Sequence, residues 1–560
     1  MLKKLLVTAG SVASLIVVGS MLADAPAKQP VFILLYTQIS DHTHFPLASE
    51  RIQRLLPALQ SYRDKYPKYR TSAVFQFSGT MAESLSGLEH QLPLVQQLKD
   101  SAKRGTVEFG YTGEPEPTYH HRPRPNFLAA KTPEERWAAR ADAAEHFLSD
   151  FKNPLNGDPF PGLAGGLKRT QEVFGEVAYI SGIDTKIGGN SALINQLRKY
   201  NEHAVLLGLP TPNPEFGVHG YAPSAKGFST AMSPVPGSSP DLYWEDGYLH
   251  SSEFSLGDIR SVSTEDGPEA LQKAFDKLDR SHVRVIHLEY GSYKRYLRKR
   301  QDGSVIYDPL DWAYNHPDEP EMPGTLNAFV DRKAVDEGYA KDEAVLRWLL
   351  EDYFPANPGS RFVSAADLKQ MAQTPVGSEF TAGDLTALAG DLKARFVETL
   401  TFPPNFAKVG DRYLTLADSF ELLATALADA SHGNPPEKVK LTGVYGPLVM
   451  PGGMGPVGQV TVRDVMAAAA ELAPRLRDDS WKPVPANAVP WKVTLGKWEL
   501  NPTQFLRLMA EAYLDPQPGK TLEIKQCNSF SLATQGAPRS WHVVDQGNIW
   551  TDRPALLSLR

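Results

Sequence analysis

Only one cysteine, Cys527, occurs in the 560 residues, so no internal disulfide can brace this chain and its stability rests on packed cores. A lone thiol near the C-terminus with no catalytic setting reads as a small buried apolar residue. The sequence has no G-x-S-x-G nucleophile elbow, no P-loop, no G-x-G-x-x-G following a strand and no H-E-x-x-H. Those absences argue against ordinary serine esterases, nucleotide enzymes and zinc proteases. Positive charge is not in excess either: the net charge of −7 gives no chain-wide attraction to nucleic acid, which is not an expected partner. After residue 25 no apolar run is long enough to span a bilayer, so no integral membrane span is expected once a leader is removed.

What is present begins with that leader. Lys3 and Lys4 precede the largely apolar stretch Leu5 to Leu22, and Ala23-Asp24-Ala25 fits a small-x-small cleavage site. Residues 1–25 are therefore expected to be a signal peptide, with the mature chain secreted, periplasmic or held in the cell envelope; an uncleaved membrane anchor is the alternative. The remainder, 42% apolar and 22% charged overall, reads as globular protein, and its length exceeds what one core organises.

From residue 31 strand-like and helix-like runs alternate, the pattern of a parallel sheet or barrel. VFILLYTQI is a continuous apolar strand, and the next segment repeats apolar residues at helical spacing through Ile52, Leu55, Leu56 and Leu59. Strands are expected again at SAVFQFSG, TVEFGY, EVAYISG, HAVLLGL and HVRVIHLEYG, and a hairpin at DLYWEDGYLHSSEF. The fold class is α/β, with a barrel over residues 30–374. Residues 376–530 look different and repeat internally: FTAGDLTALAGDL matches VTVRDVMAAAAEL, and DRYLTLADSFELLATAL matches GKWELNPTQFLRLMAEAY, pairing Tyr413 with Trp498 and Phe420 with Phe505. Each unit reads as a helix, a loop with prolines, a strand pair and a second helix. The result is a smaller α+β repeat domain, suited to binding, and residues 531–560 read as a C-terminal tail.

In barrels and open parallel sheets, functional groups gather where strands end. The first strand ends at Asp41, His42 and His44; the third opens onto Glu116, Tyr119, His120 and His121. Strand HVRVIHLEYG offers His287 and Glu289, two residues apart and hence on one face. A divalent metal, zinc foremost, wants about three His or carboxylate ligands and an open position for a water whose pKa it lowers. His42, Glu116, His120 and His121 are candidate ligands, and Asp41 is a candidate base for that water. His44, Tyr119, His287 and the ring-bearing Trp244 and Trp312 are candidate substrate contacts, the tryptophans as sugar-stacking platforms. Each has a plainer reading as a cap, a loop anchor or a core residue.

The stretch ILLYTQISDHTHFP, the helix ERIQRLLPALQSYRDKYP, SAVFQFSGTMAESL and GTVEFGYTGEPEPTY together resemble the opening of the glycoside hydrolase/deacetylase superfamily. The H-x-H-x-P element at His42, His44 and Pro46 and the element at Glu108 and Glu116-Pro117 are similar to family 57 glycoside hydrolases, whereas GGLKRTQEVFGEVAYISG resembles NodB-type polysaccharide deacetylases. The resemblance implies an irregular (β/α)7 barrel acting on a polysaccharide or cell-wall glycan. It implies first a metal-dependent deacetylase with Asp41 as base and His42 and Glu116 as ligands. The alternatives are a family 57-like glycosidase using Glu116 and Glu289, or a catalytically silent wall-binding protein. The sequence departs from both families: EVAYISGIDTKIGG has no glutamate beyond Glu176, and Asp41-His42 stands where deacetylases carry two aspartates. NPTQFLRLMA, in the second repeat, is weakly similar to pseudomurein-binding-type repeats.

Overall fold

The computed structural model describes residues 28–39, 45–112, 165–181, 205–208, 235–245, 248–252, 264, 267–291, 332–399, 403–404, 406–447, 454–480, 486–527 and 550–559. Its centre is a mixed sheet of ten strands. Strand β1 (Val31–Ile39) is followed by helix α1 (Phe45–Lys65), β2 (Ala73–Phe77), α2 (Gly79–Gly87), α3 (Leu92–Lys103) and β3 (Val107–Thr112). Next come α4 (Gly166–Phe174), β4 (Tyr179–Ser181), β5 (Val205–Gly208), β6 (Ser238–Glu245), β7 (Tyr248–Ser252), α5 (Pro268–Phe275) and β8 (Arg284–Glu289). Helix α6 (Arg332–Trp348), β9 (Arg361–Phe362) and α7 (Ala365–Met371) complete this part.

Strands β5, β4, β3, β2, β1 and β8 lie side by side and parallel, β7 joins β5 in the same sense, and β6 returns antiparallel to β7. Alternation along β1 divides the sheet into two faces. Val31, Ile33 and Leu35 pack outward on Ile52, Leu55, Leu56 and Leu59 of α1, while Phe32, Leu34 and Tyr36 join Val74, Tyr179, Leu242 and Val285 on the inner side. Being buried on both faces is why β1 reads as an unbroken apolar run.

Helix α7 fills the base of the inner side, with Ala365, Leu368 and Met371 in the same cluster. Its first turn is held by Glu108 of β3, whose oxygens accept from the amides of Ala365 (2.6 Å) and Ala366 (3.1 Å). Burial pushes the Glu108 carboxyl up, and those two amides partly offset it.

The sheet curls until β6 approaches β8, and one buried ion pair joins them. Asp241 of β6 accepts from Arg284 Nε (2.9 Å), from Arg284 Nη2 (3.0 Å) and from the amide of Val285 (2.6 Å). The carboxylate thus satisfies a main-chain donor on the edge of β8 as well as a guanidinium. Burial works to lower the Arg284 pKa, but the pull of Asp241 outweighs it and holds the group above its ordinary value.

The C-terminal part holds two units of one design. The first runs β10 (Glu379–Thr381), α8 (Ala382–Thr399), β11 (Ala407–Val409), β12 (Arg412–Leu414), α9 (Leu416–Ser431) and β13 (Lys438–Lys440). The second runs β14 (Gly458–Thr461), α10 (Val462–Leu476), β15 (Val493–Leu495), β16 (Trp498–Leu500), α11 (Pro502–Leu514) and β17 (Thr521–Ile524). In each, the first and last strands pair antiparallel and the middle two form a hairpin. The hairpin turns place Gly410 and Gly496 in equivalent positions, and the capping boxes equate Thr415 with Asn501. That register is one residue out of step with the pairing of Tyr413 with Trp498. Phe420 and Phe505 are therefore not counterparts; they pack against each other, with ring centroids 5.8 Å apart.

Cys527 is buried in the core that the two units share, where burial raises its thiol pKa. Residues 531–560 are not simply a tail. Within them β18 (Asp552–Leu556) pairs antiparallel with β6 of the ten-stranded sheet, and Trp550 is buried in the repeat core, edge-on to Phe420. Burying an indole and completing a sheet edge are what hold residues 550–556 in place. Among the described residues no helix is long and apolar enough to cross a membrane.

Candidate active site

The inner face carries polar and aromatic groups toward the strands' C-terminal ends. Strand pairing sets Gln38, Gln76, Gly110 and Tyr179 side by side across β1 to β4, and sets Tyr36 beside Glu289. Gly110 must be glycine there. A Cβ would stand 2.8 Å from Gln76 Cγ and 2.8 Å from Val74 Cγ1. Nearer the rim, Gln38 Nε2 donates to Thr112 Oγ1 at 3.1 Å. The end of β1 is also gripped from α1, where fully buried Arg51 donates to the Gln38 carbonyl (2.7 Å) and to Thr37 Oγ1 (2.8 Å).

Below Glu289 lies an aromatic floor. The rings of Tyr36, Tyr179 and His287 have centroids 5.7 to 6.4 Å apart, and Tyr179 Oη is 2.7 Å from His287 Nδ1. His287 is buried, and burial lowers its pKa to about 3. The imidazole is therefore neutral at neutral pH and orients the Tyr179 phenol rather than exchanging protons with solvent.

That depression carries a pH dependence with a definite sign. An unfolded chain binds a proton on this histidine near pH 6.5 while the folded one does not, so stability is present above that pH and is lost as pH falls toward 3. The expected loss from this residue is on the order of 2 kcal/mol by about pH 5. Urea unfolding between about pH 7 and 5 should show that slope in the wild type and a flatter one in His287→Gln. Equal slopes would remove His287 as the cause.

Glu289 is the last residue of β8, half-buried, on the same face as Val285 and His287. Its backbone is clamped on two sides. The amide of Tyr290 donates to the Tyr36 carbonyl at 2.7 Å. On the other side, Thr264 Oγ1 lies 3.1 Å from the Glu289 carbonyl, accepts from the Gly291 amide at 3.4 Å and meets the buried carboxylate of Asp342 in a short hydrogen bond. Gly291 has a φ of 69°, and a Cβ on it would meet Leu55 at 2.8 Å, so the chain turns sharply just past Glu289.

Thr264→Val keeps the shape and removes the hydroxyl, leaving buried partners unsatisfied at roughly 1–3 kcal/mol, whereas Thr264→Ser should be nearly neutral. Hydrogen exchange over residues 287–291 should quicken in the valine variant alone. If both variants exchange alike, Thr264 does not hold this turn.

Of the residues nominated from sequence, Glu289 and His287 come together here. Trp244 does not line an open cleft. Period-two alternation turns it into the inner core with Leu242 and Leu249, where it is 9% exposed. Asp41, His42, His44, Glu116, Tyr119, His120, His121 and Trp312 lie outside the described residues. Among the described residues no three His, Cys, Asp or Glu side chains converge to hold a metal ion.

No family model and no curated protein matches this chain. Solved structures that are loosely similar to it include two from Thermococcus species. A 4-alpha-glucanotransferase from Thermococcus litoralis aligns over 73% of this chain and 54% of its own, at 11% identity and a TM-score of 0.27. A family 57 branching enzyme from the hyperthermophilic archaeon Thermococcus kodakaraensis aligns over 66% of this chain and 80% of its own, at 11% identity and a TM-score of 0.19. The chain spans about half the length of the glucanotransferase. Neither superposition assigns catalytic residues here.

Sequence reasoning missed Tyr36, Tyr179, Gln38, Gln76 and the Asp342–Thr264 clamp. Alternation in VFILLYTQI does put Tyr36 and Gln38 on one face, and a glutamine inside AVFQF is a visible anomaly. The clamp leaves no such signal, because its members lie far apart in sequence.

Proposed function

We propose that this protein is an exported carbohydrate-active hydrolase that cleaves glycosidic bonds in the manner of the family 57 enzymes its sequence resembles. The observation that carries this reading is Glu289: a carboxylate at the C-terminal end of an inner-face strand, clamped through its backbone, above a floor of Tyr36, Tyr179 and His287. Glycoside hydrolysis needs two carboxylates flanking the bond, and the buried rings beneath Glu289 hold its strand in place rather than meeting a sugar. In this reading Glu289 supplies one carboxylate and Glu116, in the E-P-E-P segment after β3, supplies the other. Gln38, half-buried near the end of β1, carries an amide of the kind that bonds sugar hydroxyls.

Metal-assisted deacylation rests on Asp41, His42, Glu116, His120 and His121, and one experiment separates it from glycosidic cleavage. Purified protein is incubated with soluble starch, xylan and acetylated glycol chitosan, with and without EDTA, and reducing ends and acetate are both measured. New reducing ends without acetate, unchanged by EDTA, are expected. Acetate release that EDTA abolishes would reverse the choice, and neither product from any polymer would leave a binding protein.

A further inference from the structure

At the far end of the barrel from Glu289, beside the loop that leads into β8, a cavity of about 590 Å³ opens between α5 and the C-terminal end of α6. That size is in the range of small-ligand sites, roughly 300–1,000 Å³. One wall is aromatic. Phe275, Trp348 and Tyr353 have centroids 5.0 to 5.8 Å apart, packed on one another at interplanar angles of 41° to 66°. The lining also includes Asp276, Asp352 and Lys28, together with Asn357, whose amide bonds Arg280 and the Tyr353 carbonyl.

The backbone is distorted to build that wall. Helix α6 passes into a π-helical turn at Leu349–Tyr353 before resuming at Phe354–Ala356. In an α-helix, residues five apart point roughly 140° away from each other. The wider π turn brings Trp348 and Tyr353 to one side, and such turns recur at functional sites. Tyr353 Oη is buried without a hydrogen-bond partner among the described residues, an orphan that a ligand hydroxyl can satisfy. Burial raises the phenol to about 12, so it stays a donor at neutral pH.

We infer that this cavity is a second glycan-binding site, distinct from the Glu289 face, in which a neutral pyranose stacks on Trp348 and accepts from Tyr353 Oη. An indole face beside carboxylates is the chemistry that recognises a sugar: apolar CH faces on the ring, hydroxyls toward Asp276 and Asp352. A quaternary ammonium would instead want rings spread around a central hollow.

Native affinity electrophoresis in gels cast with soluble starch, xylan or glycol chitin tests this. The wild type should be retarded in at least one gel. Trp348→Ala should lose about tenfold or more in apparent affinity there, as expected for removing the stacking platform. Tyr353→Phe, which deletes only the orphan hydroxyl, should bind several-fold more weakly with an unchanged or raised Tm, so that weakened binding cannot be blamed on unfolding. Retardation of either variant equal to wild type overturns the site, even if the enzyme cleaves glycans at Glu289. So does a wild type retarded in none of the gels, or tryptophan quenching by choline chloride that Trp348→Ala abolishes.

Discussion

Asp241→Ala is expected to destabilise the curled sheet by about 3–5 kcal/mol, the cost of taking from a buried charge its carboxylate partner. The substitution does two things at once. It takes the carboxylate from the Arg284 guanidinium, whose side chain is 7% exposed and which keeps the Asp279 carbonyl, and it removes the acceptor for the Val285 amide on the edge of β8. An exposed ion pair of the same residues would contribute at most about 1 kcal/mol, so the magnitude reports burial as much as attraction. Equilibrium urea unfolding measures it. Arg284→Met in the Asp241→Ala background should recover part of the loss, because the uncompensated charge then disappears while the orphaned amide remains. A single-variant loss below about 1 kcal/mol would mean that β6 and β8 are not joined through this pair.

The second large effect concerns activity. If the protein cleaves glycosidic bonds as proposed, Glu289→Gln should lower kcat by about 10²- to 10⁴-fold, the usual contribution of a positioned acid or base, with KM little changed. Glutamine is nearly isosteric and the clamp on Glu289 is made through its backbone, so the fold and the Tm should be retained. Initial rates of reducing-end release over a range of polymer concentrations separate the two parameters. A variant that keeps more than about a tenth of wild-type kcat would assign the chemistry to other carboxylates.

Much of the architecture was legible because it follows from local periodicity. A strand such as VFILLYTQI announces burial on two faces, and EVAYISG, HAVLLGL and the YWEDGY hairpin lie where β4, β5, β6 and β7 are found. The repeat was legible from matching helix words, but its register was not. Phe420 and Phe505 match in sequence, yet Gly410, Gly496 and the two helix caps set the equivalence one residue away. Side-chain letters repeat by chance more readily than turn geometry does.

The candidate site was legible only where one strand carried two of its members, His287 and Glu289. Tyr179 contacts His287 across more than a hundred residues of sequence, and Asp241 reaches Arg284 between strands that no local pattern pairs. Such contacts depend on how the sheet curls. Trp244 illustrates the converse: an aromatic in a hairpin has the same signature whether its ring faces a cleft or a core, and packing decided for the core.

The return of β18 to β6 has a consequence for the order of assembly. Strand β6 emerges from the ribosome with one edge unpaired, and its partner, residues 552–556, arrives only after both repeats have been made. Until then an open strand edge is available for wrong pairings, and the ladder closes through one of the longest sequence separations in the molecule. Trp550, two residues before β18, locks into the repeat core at the same moment. Sheet completion and repeat-core completion should thus be a single late event, and removing the last eleven residues should leave both parts unfinished together.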